Sequence, residues 1–233
     1  MEESAFGRLI GAIVSPVKTF ASIALRPTWL APMAALVLAA VLVTLVVTPR
    51  MDMRSIIKQS IEESGRDLTP EQMDNAVEQG AKFAKIGPIV GIIAQPIVLL
   101  IIALVFWVGF KLAGGEFGFG TSFSVTTHAM LPGVLSALLS IPVVMNKPTL
   151  GYDEVKTGSF LMSNLGAFAP TGTHRALVSL LSSIDVFSIW TLILLVIGYR
   201  AAAKVSKGTA IGVVVGAWAV YVLCKVGFSA AFS

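Results

Sequence analysis

The chain contains, at residues 29–48, the stretch WLAPMAALVLAAVLVTLVVT, which carries no charged side chain. A helix of this length covers roughly 30 Å, the thickness of the hydrocarbon layer of a bilayer. The tryptophan at its start suits the membrane interface, and Pro49 followed by Arg50 ends the apolar run. The stretch therefore predicts a transmembrane helix.

Four further apolar stretches of similar character follow, at residues 86–110, 123–144, 184–199 and 209–228. Prolines interrupt two of them, which indicates kinked helices whose freed carbonyl groups are satisfied by neighbouring helices. Only 13% of the residues are charged and 55% are hydrophobic, whereas soluble domains carry roughly 25% charged residues. We therefore expect residues 1–233 to form a single all-α, polytopic membrane domain with about five transmembrane helices.

The segment before the first span, residues 1–28, has the pattern of an amphipathic helix interrupted at Ser15-Pro16. Its apolar residues recur at spacings of three and four: Phe6, Leu9, Ile10, Ile13, Val14, Val17 and Phe20. We interpret it as two short helices in the membrane interface, with Arg8 and Lys18 reaching lipid headgroups. The alternative is a helix pair packed on the transmembrane bundle.

Residues 50–85 form a polar insert between the first two spans. Two helices are predicted, with a break at Gly65 and a capping box at Thr69-Pro70-Glu71-Gln72 starting the second. Charges of both signs alternate, which is typical of a solvated surface. The carboxylates lack the spacing of a calcium loop. The later connection, residues 145–175, is a candidate re-entrant segment, and the fourth span has an alternative start at Leu177.

Three stretches carry a resemblance to a known family: SPVKTF at 15–20 with the proline-flanked entry into the first span, TPEQ at 69–72, and IDVFSIWTLILLVIGY at 184–199 followed by a basic turn. Together they resemble the Yip family of Ypt/Rab-GTPase-interacting membrane proteins, in its prokaryotic form. The resemblance implies five spans, a cytosolic N-terminus and no catalytic activity.

Eukaryotic members of that family are linked to vesicle trafficking and bind small GTPases. This sequence lacks their longer N-terminal region and its Asp-Leu-Tyr-Gly-Pro stretch. GTPase binding is therefore not carried over to this chain.

Patterns for catalysis or cofactor binding are missing from the sequence. It contains no G-x-S-x-G, H-E-x-x-H or P-loop motif. Two isolated histidines, His128 and His174, do not make a zinc site, and the lone Cys224 cannot form an internal disulfide. The basic residues are scattered, unlike those of a nucleic-acid surface. We expect no enzyme activity, no cofactor, no metal site and no nucleic-acid partner.

Two ionisable residues lie inside predicted spans, Asp185 and Lys225. They stand nineteen and twenty-one residues from Lys204, which puts them within about 3 Å of the same depth in a helical hairpin. We hypothesise an intramembrane ion pair between them. The alternative is that Asp185 stabilises the positive N-terminal end of its helix, while Lys225 independently extends to the lipid headgroups.

A ladder of small residues on the last span, Gly208, Gly212 and Gly216, indicates close helix packing. Packing within the chain is favoured over dimerisation.

The leading hypothesis is a non-enzymatic, Yip-type multi-pass protein that acts in membrane organisation through lipids or unidentified protein partners, with self-association as one option. The alternative is a small transporter or channel-like permease, which proline-broken spans would suit. An intramembrane hydrolase is a third class, which needs a nucleophile and a base at matching depth.

The basic turn with Arg200, Lys204 and Lys207 predicts a cytosolic N-terminus and an external C-terminus, although raw Lys/Arg counts slightly favour the opposite orientation. In a prokaryote, the location would be the cytoplasmic membrane.

Overall fold

The computed structural model describes residues 4–63, 65, 67–84, 86–157, 160–170 and 172–231. The first three residues of the predicted N-terminal segment, and residues 64, 66 and 85 of the predicted insert, lie outside this part. The chain divides into two compact units. One comprises residues 1–40, 94–136 and 186–221, and the other comprises residues 41–93, 137–185 and 222–233.

The described residues form helices, with two isolated bridges and no strand of a sheet. The helices are α1 Ala5–Val14, α2 Pro16–Leu25, α3 Leu30–Val47, α4 Met53–Glu63, α5 Pro70–Ala84, α6 Gly87–Leu112, α7 Phe119–Ala129, α8 Leu131–Met145, α9 Tyr152–Thr157, α10 Arg175–Leu181, α11 Val186–Ala203 and α12 Lys207–Ala231.

Five stretches are long and apolar enough to cross a membrane: Leu30–Arg50, Gly87–Leu112, Phe119–Met145, Val186–Ala203 and Lys207–Ala231. The all-α architecture with five spans is confirmed. The third span is broken, since α7 ends at Ala129 and α8 begins two residues later. Pro132 follows the break, where a proline costs no internal hydrogen bond.

The fourth span begins at Val186, so the alternative start at Leu177 is wrong. Leu177 belongs to the short helix α10, and residues 182–185 separate that helix from α11. The serine hydroxyl at position 183 bonds the carbonyl of Ser179 at 2.9 Å. Such a local bond competes with a continuous helix and helps to end α10.

In the first unit, α2, α7 and α11 pack together around an aromatic core. Tyr199 is fully buried and stacks on Phe110 with ring centroids 4.6 Å apart. Its hydroxyl bonds Ser122 Oγ at 2.6 Å and Thr126 Oγ1 at 2.8 Å. These bonds satisfy a polar group in the interior that would otherwise lose its solvation. The polar sequence of α7 is therefore an internal feature of the bundle.

The second unit has a small core of Val47, Val144 and Leu150. Helices α4 and α5 pack against each other, each burying one residue, Ile56 and Val77. The Thr69 capping box is present: its hydroxyl accepts from Gln72 N at 3.3 Å, and Gln72 Oε1 accepts from Thr69 N at 3.0 Å.

Candidate membrane-interface site

Arg8 on α1 is buried, with only 7% of its surface exposed. Its Nη1 donates to the carbonyl oxygen of Arg26 at 2.7 Å and to Thr28 Oγ1 at 3.0 Å. Its Nη2 donates to Ser22 Oγ at 3.2 Å, while Nε has no partner among the described residues. The guanidinium thus ties α1 to the end of α2 and to the segment leading into the first span.

The charge of Arg8 is held by neutral oxygens. No carboxylate lies within ion-pair distance of it in the described part of the chain. The carbonyl of Arg26 follows the last residue of α2, Leu25. Unpaired carbonyl groups at a helix C-terminus carry partial negative charge, which stabilises a nearby cation. We call this arrangement of Arg8 with Ser22, Arg26 and Thr28 the arginine clasp.

The prediction that Arg8 reaches lipid headgroups is wrong. A guanidinium can serve three acceptors at fixed angles, and the turn between α1 and α2 brings those acceptors to it. The sequence pattern placed Arg8 off the apolar stripe and gave no sign of acceptors fourteen to twenty residues away. Lys18, in contrast, is exposed.

The helix pair α1–α2 has two apolar faces. The inner face packs on the core of the first unit, where Ala12, Phe20 and Ile23 are fully buried and Leu9 and Ile13 are partly buried. The outer face is exposed: Phe6, Ile10, Val14, Val17 and Leu25. The residues of the single apolar stripe predicted from the sequence are thus divided between the protein core and the exposed surface. The alternative of packing on the bundle holds for the inner face, and a lipid-facing role is left to the outer face.

Gly198 lets α2 approach α11 closely. A Cβ atom at this position would lie 2.6 Å from Val125 Cγ1 and 2.7 Å from Phe20 Cδ1. Real Cβ atoms do not come this close, so a larger residue would force α2 or α7 away. Sequence reasoning missed Gly198, although it lies in the 184–199 stretch that carries the family resemblance.

Ser124 and His128 on α7 complete the site. Ser124 Oγ accepts from Thr28 N at 2.9 Å and donates to Thr28 O at 2.5 Å, which fixes the segment entering the first span. His128 is buried, and its Nδ1 lies 2.8 Å from the carbonyl oxygen of Ser124. These contacts fit a positioning role for His128, consistent with a structural interpretation of this residue.

Asp185 and Lys225 have other partners than each other. Lys225 Nζ donates to Ser179 O at 3.3 Å and to Ser183 Oγ at 3.1 Å. Asp185 accepts from Ser163 Oγ at 2.5 Å. Lys225 thus contacts Ser183, two positions before Asp185, as their matched depth predicts. Its ammonium, however, is bonded to the end of α10 and not to the Asp185 carboxylate.

Comparison with known proteins supports the resemblance seen in the sequence. The model of the Yip1 domain matches residues 10–228. The chain belongs to the Yip1 domain family. It is also similar to the membrane protein YknW of Bacillus subtilis strain 168, with 28% identity over 205 residues, covering 85% of this chain and 80% of that protein. No solved structure matches this Yip1-domain chain.

The glycine ladder of this family member is not packed against other described residues. Gly208, Gly212 and Gly216 are exposed, and a Cβ atom at Gly212 or Gly216 would meet nothing within 4 Å. The expectation of packing inside the bundle is therefore not met. Contact of the ladder with a second chain stays a prediction.

Among the described residues, no group of three or more His, Cys, Asp or Glu side chains is placed to hold a metal ion. His174 instead caps α10, where its Nδ1 accepts from Ala176 N at 3.2 Å.

Proposed function

We propose that this protein is a non-enzymatic integral membrane protein that acts in membrane organisation through lipid or protein partners, with the outer face of α1–α2 as its contact surface. Family membership supports a non-enzymatic role, since the Yip1 family is not known for enzymes. The observation that carries the proposal is the outer face itself. The arginine clasp and the inner face hold the helix pair, while large apolar side chains are left on the outside.

The occupant of the outer face is inferred from its position. Leu25 ends α2 and is 83% exposed, and the first span begins at Leu30. Five residues span at most ~18 Å, so α2 ends close to the level at which the chain enters the hydrocarbon layer. Burying each large apolar side chain in lipid stabilises by roughly 1.5–3 kcal/mol. Lipid at the interface therefore suits this face better than water.

A depth measurement tests the proposal. Cys224 is exposed and is first replaced by Ser, so that a single new cysteine carries an environment-sensitive fluorophore. Val17→Cys places the probe on the outer face, and Asn75→Cys places it on an exposed, polar position of α5. In nanodiscs, we expect quenching by shallow lipid spin labels at Val17 and by aqueous iodide at Asn75. Iodide quenching as strong at Val17 as at Asn75 would remove the proposed surface.

Partners are tested separately with a photocrosslinking residue at Phe6, which is 69% exposed. Capture of phospholipid in cells supports the lipid branch of the proposal, and capture of a defined protein supports the protein branch. Crosslinking to neither would contradict a contact role for this face. Leu36, buried in the first unit, is the matched control position that should capture neither.

For the location, we propose the cytoplasmic membrane with the N-terminus inside. Five spans place the two termini on opposite sides. The connection between α11 and α12 is only residues 204–206, and Arg200, Lys204 and Lys207 lie in or beside it. Basic residues in short connections favour the cytosol. A C-terminal phosphatase fusion should be active and a C-terminal fluorescent-protein fusion dark; the reverse pattern would overturn this orientation.

A further inference from the structure

The second unit contains a cavity of about 1070 Å³. The polar insert and the connection after the third span form its walls. Sites for drug-sized ligands are clefts of roughly 300–1,000 Å³, with mostly apolar walls and a few placed polar groups. The cavity is large enough for a lipid headgroup together with the first part of its chains.

Two ion pairs form part of the cavity lining. Arg175 donates to Glu63 Oε2 through Nη2 at 3.0 Å and through Nε at 3.2 Å, and Tyr152 Oη donates to the same oxygen at 3.2 Å. Lys147 bonds Glu154, whose other oxygen accepts from Gly151 N at 2.9 Å. The bond from Lys147 lowers the pKa of Glu154, so this carboxylate is ionised at neutral pH. The wall thus presents both signs of charge next to each other.

The cavity lining also includes apolar side chains, those of Val143, Phe160, Met162 and Val178. Val143 belongs to α8, which ends at Met145, and Lys147 follows two residues later. The charged wall therefore begins where the third span leaves the hydrocarbon layer. At this level, an apolar wall faces lipid chains and a charged wall faces lipid headgroups.

We propose that this cavity binds a phospholipid whose headgroup carries both an ammonium and a phosphate, as in phosphatidylethanolamine. The phosphate would bond Arg175 and Lys147, and the ammonium would bond Glu63 and Glu154. Guanidinium groups recognise phosphate oxygens through paired N–H donors, and such charge-assisted bonds are the stronger ones. The apolar wall would take the first carbons of the acyl chains. This site lies in a different unit from the surface in the proposed function and does not depend on it.

The ratio of affinities for different headgroups tests the proposal. The full-length protein in detergent is titrated with short-chain phosphatidylethanolamine and with phosphatidylglycerol of equal chain length, and binding is followed by native mass spectrometry. We expect phosphatidylethanolamine to bind about tenfold more tightly, because phosphatidylglycerol brings no ammonium to the two carboxylates when Arg175 and Lys147 bond its phosphate. Equal affinity for the two lipids would overturn the proposal, as would displacement of phosphatidylethanolamine by a short zwitterionic peptide that lacks acyl chains.

Two variants and one control locate the binding. Arg175→Gln removes the phosphate donor and should lower the affinity about tenfold. Since this change also removes a bond between α4 and α10, Ala169→Leu is used beside it: it places a larger side chain in the cavity lining and leaves both ion pairs intact. It should weaken binding. Lys82→Gln breaks the exposed Lys82–Glu78 pair of α5, outside the cavity, and should change nothing. Unchanged binding in Ala169→Leu would refute the cavity as the site.

Discussion

Arg8 and Lys225 are two cations that meet the end of a short helix in similar ways. Each donates to a carbonyl oxygen and to a serine hydroxyl: Arg8 at the end of α2 and Lys225 at the end of α10. Neither has a carboxylate partner within the described part of the chain. Both cations therefore stabilise helix C-termini through partial charges, Arg8 in the first unit and Lys225 in the second.

The two helices differ in what else holds them. Helix α2 buries Thr19, Phe20 and Ile23, whereas α10 buries no residue. The comparison teaches that a cation at a helix end does not by itself make that helix part of a core. Apolar burial fixes α2, and the clasp sets its direction. The position of α10 depends mainly on polar contacts, and we expect it to open more readily.

The largest loss of stability is expected from disrupting the close packing of α2 against α7 and α11. Gly198→Leu places a side chain where Val125 and Phe20 already lie, and overpacking of this kind costs about 3 kcal/mol or more. Thermal unfolding in detergent should show the loss. Gly212→Leu is the matched control on α12, where a new Cβ atom meets nothing within 4 Å. Equal losses in both variants would mean that close packing at Gly198 does not hold α2.

A smaller loss is expected from removing the clasp itself. Arg8→Met keeps the length of the side chain but leaves the acceptors at Ser22, Arg26 and Thr28 without their donor. The cost is about 2 kcal/mol, the range for orphaned partly buried polar groups. Hydrogen exchange should accelerate in α1 and α2, with α7 unchanged.

Arg8→Lys is the sharper comparison, because it retains the charge. We expect it to restore less than half of the lost stability, since one ammonium cannot serve three acceptors in the planar arrangement of a guanidinium. Full restoration would show that charge alone suffices and would make the two cations equivalent.

Lys225 should contribute about 1 kcal/mol through its bonds to α10. A double-mutant cycle of Lys225→Met with Ser183→Ala should be non-additive, because the two side chains are bonded. The cycle of Lys225→Met with Asp185→Asn should be additive. Coupling in the second cycle instead of the first would restore the hypothesis of an intramembrane ion pair.

The smallest expected effect is that of acid on stability, which should differ between the arginine clasp and the second unit. The clasp uses carbonyl and hydroxyl acceptors, which do not titrate. In the second unit, the bond from Lys147 holds the pKa of Glu154 below its ordinary 4.5. A carboxylate whose pKa is lower in the folded state than in the unfolded state stabilises the fold at pH values above its unfolded-state pKa. This contribution is lost as the pH falls through the folded-state pKa. Because both side chains are about a third exposed, the loss stays below about 1 kcal/mol.

The measurement is hydrogen exchange in Tyr152–Thr157 at about pH 5 and about pH 3, corrected for intrinsic rates. Glu154→Gln should remove the difference in exchange rate between the two pH values. A pH-dependent change in α1–α2 of the same size would contradict the distinction between the regions.

The spans were predictable because a long apolar run is a local property of the chain. The stretch 184–199 also carried the family resemblance, which the Yip1 match over residues 10–228 confirms. The break between α10 and α11 depends on hydroxyl groups such as Ser183 that bond the backbone, and hydropathy does not register them.

The contacts of the candidate site were harder to predict because they join distant residues. The partners of Arg8 lie fourteen to twenty positions along the chain, and its burial follows from the turn at Ser15. The spacing of the glycines did not identify those that pack closely, since the regular ladder at 208–216 is exposed while Gly198, outside any ladder, makes a tight contact. For glycines, what matters is which neighbour the missing side chain would meet.

Lys204 sits in the connection between α11 and α12 with a backbone φ of +55°. Glycine or asparagine adopts this left-handed conformation more easily than lysine. On the proposed orientation, however, lysine supplies one of the cations that keep this turn in the cytosol. The position is therefore a compromise between ease of folding and direction of insertion. An engineer who relaxes the turn with Lys204→Asn gains stability and weakens the signal by which the membrane insertion machinery orients the last two helices.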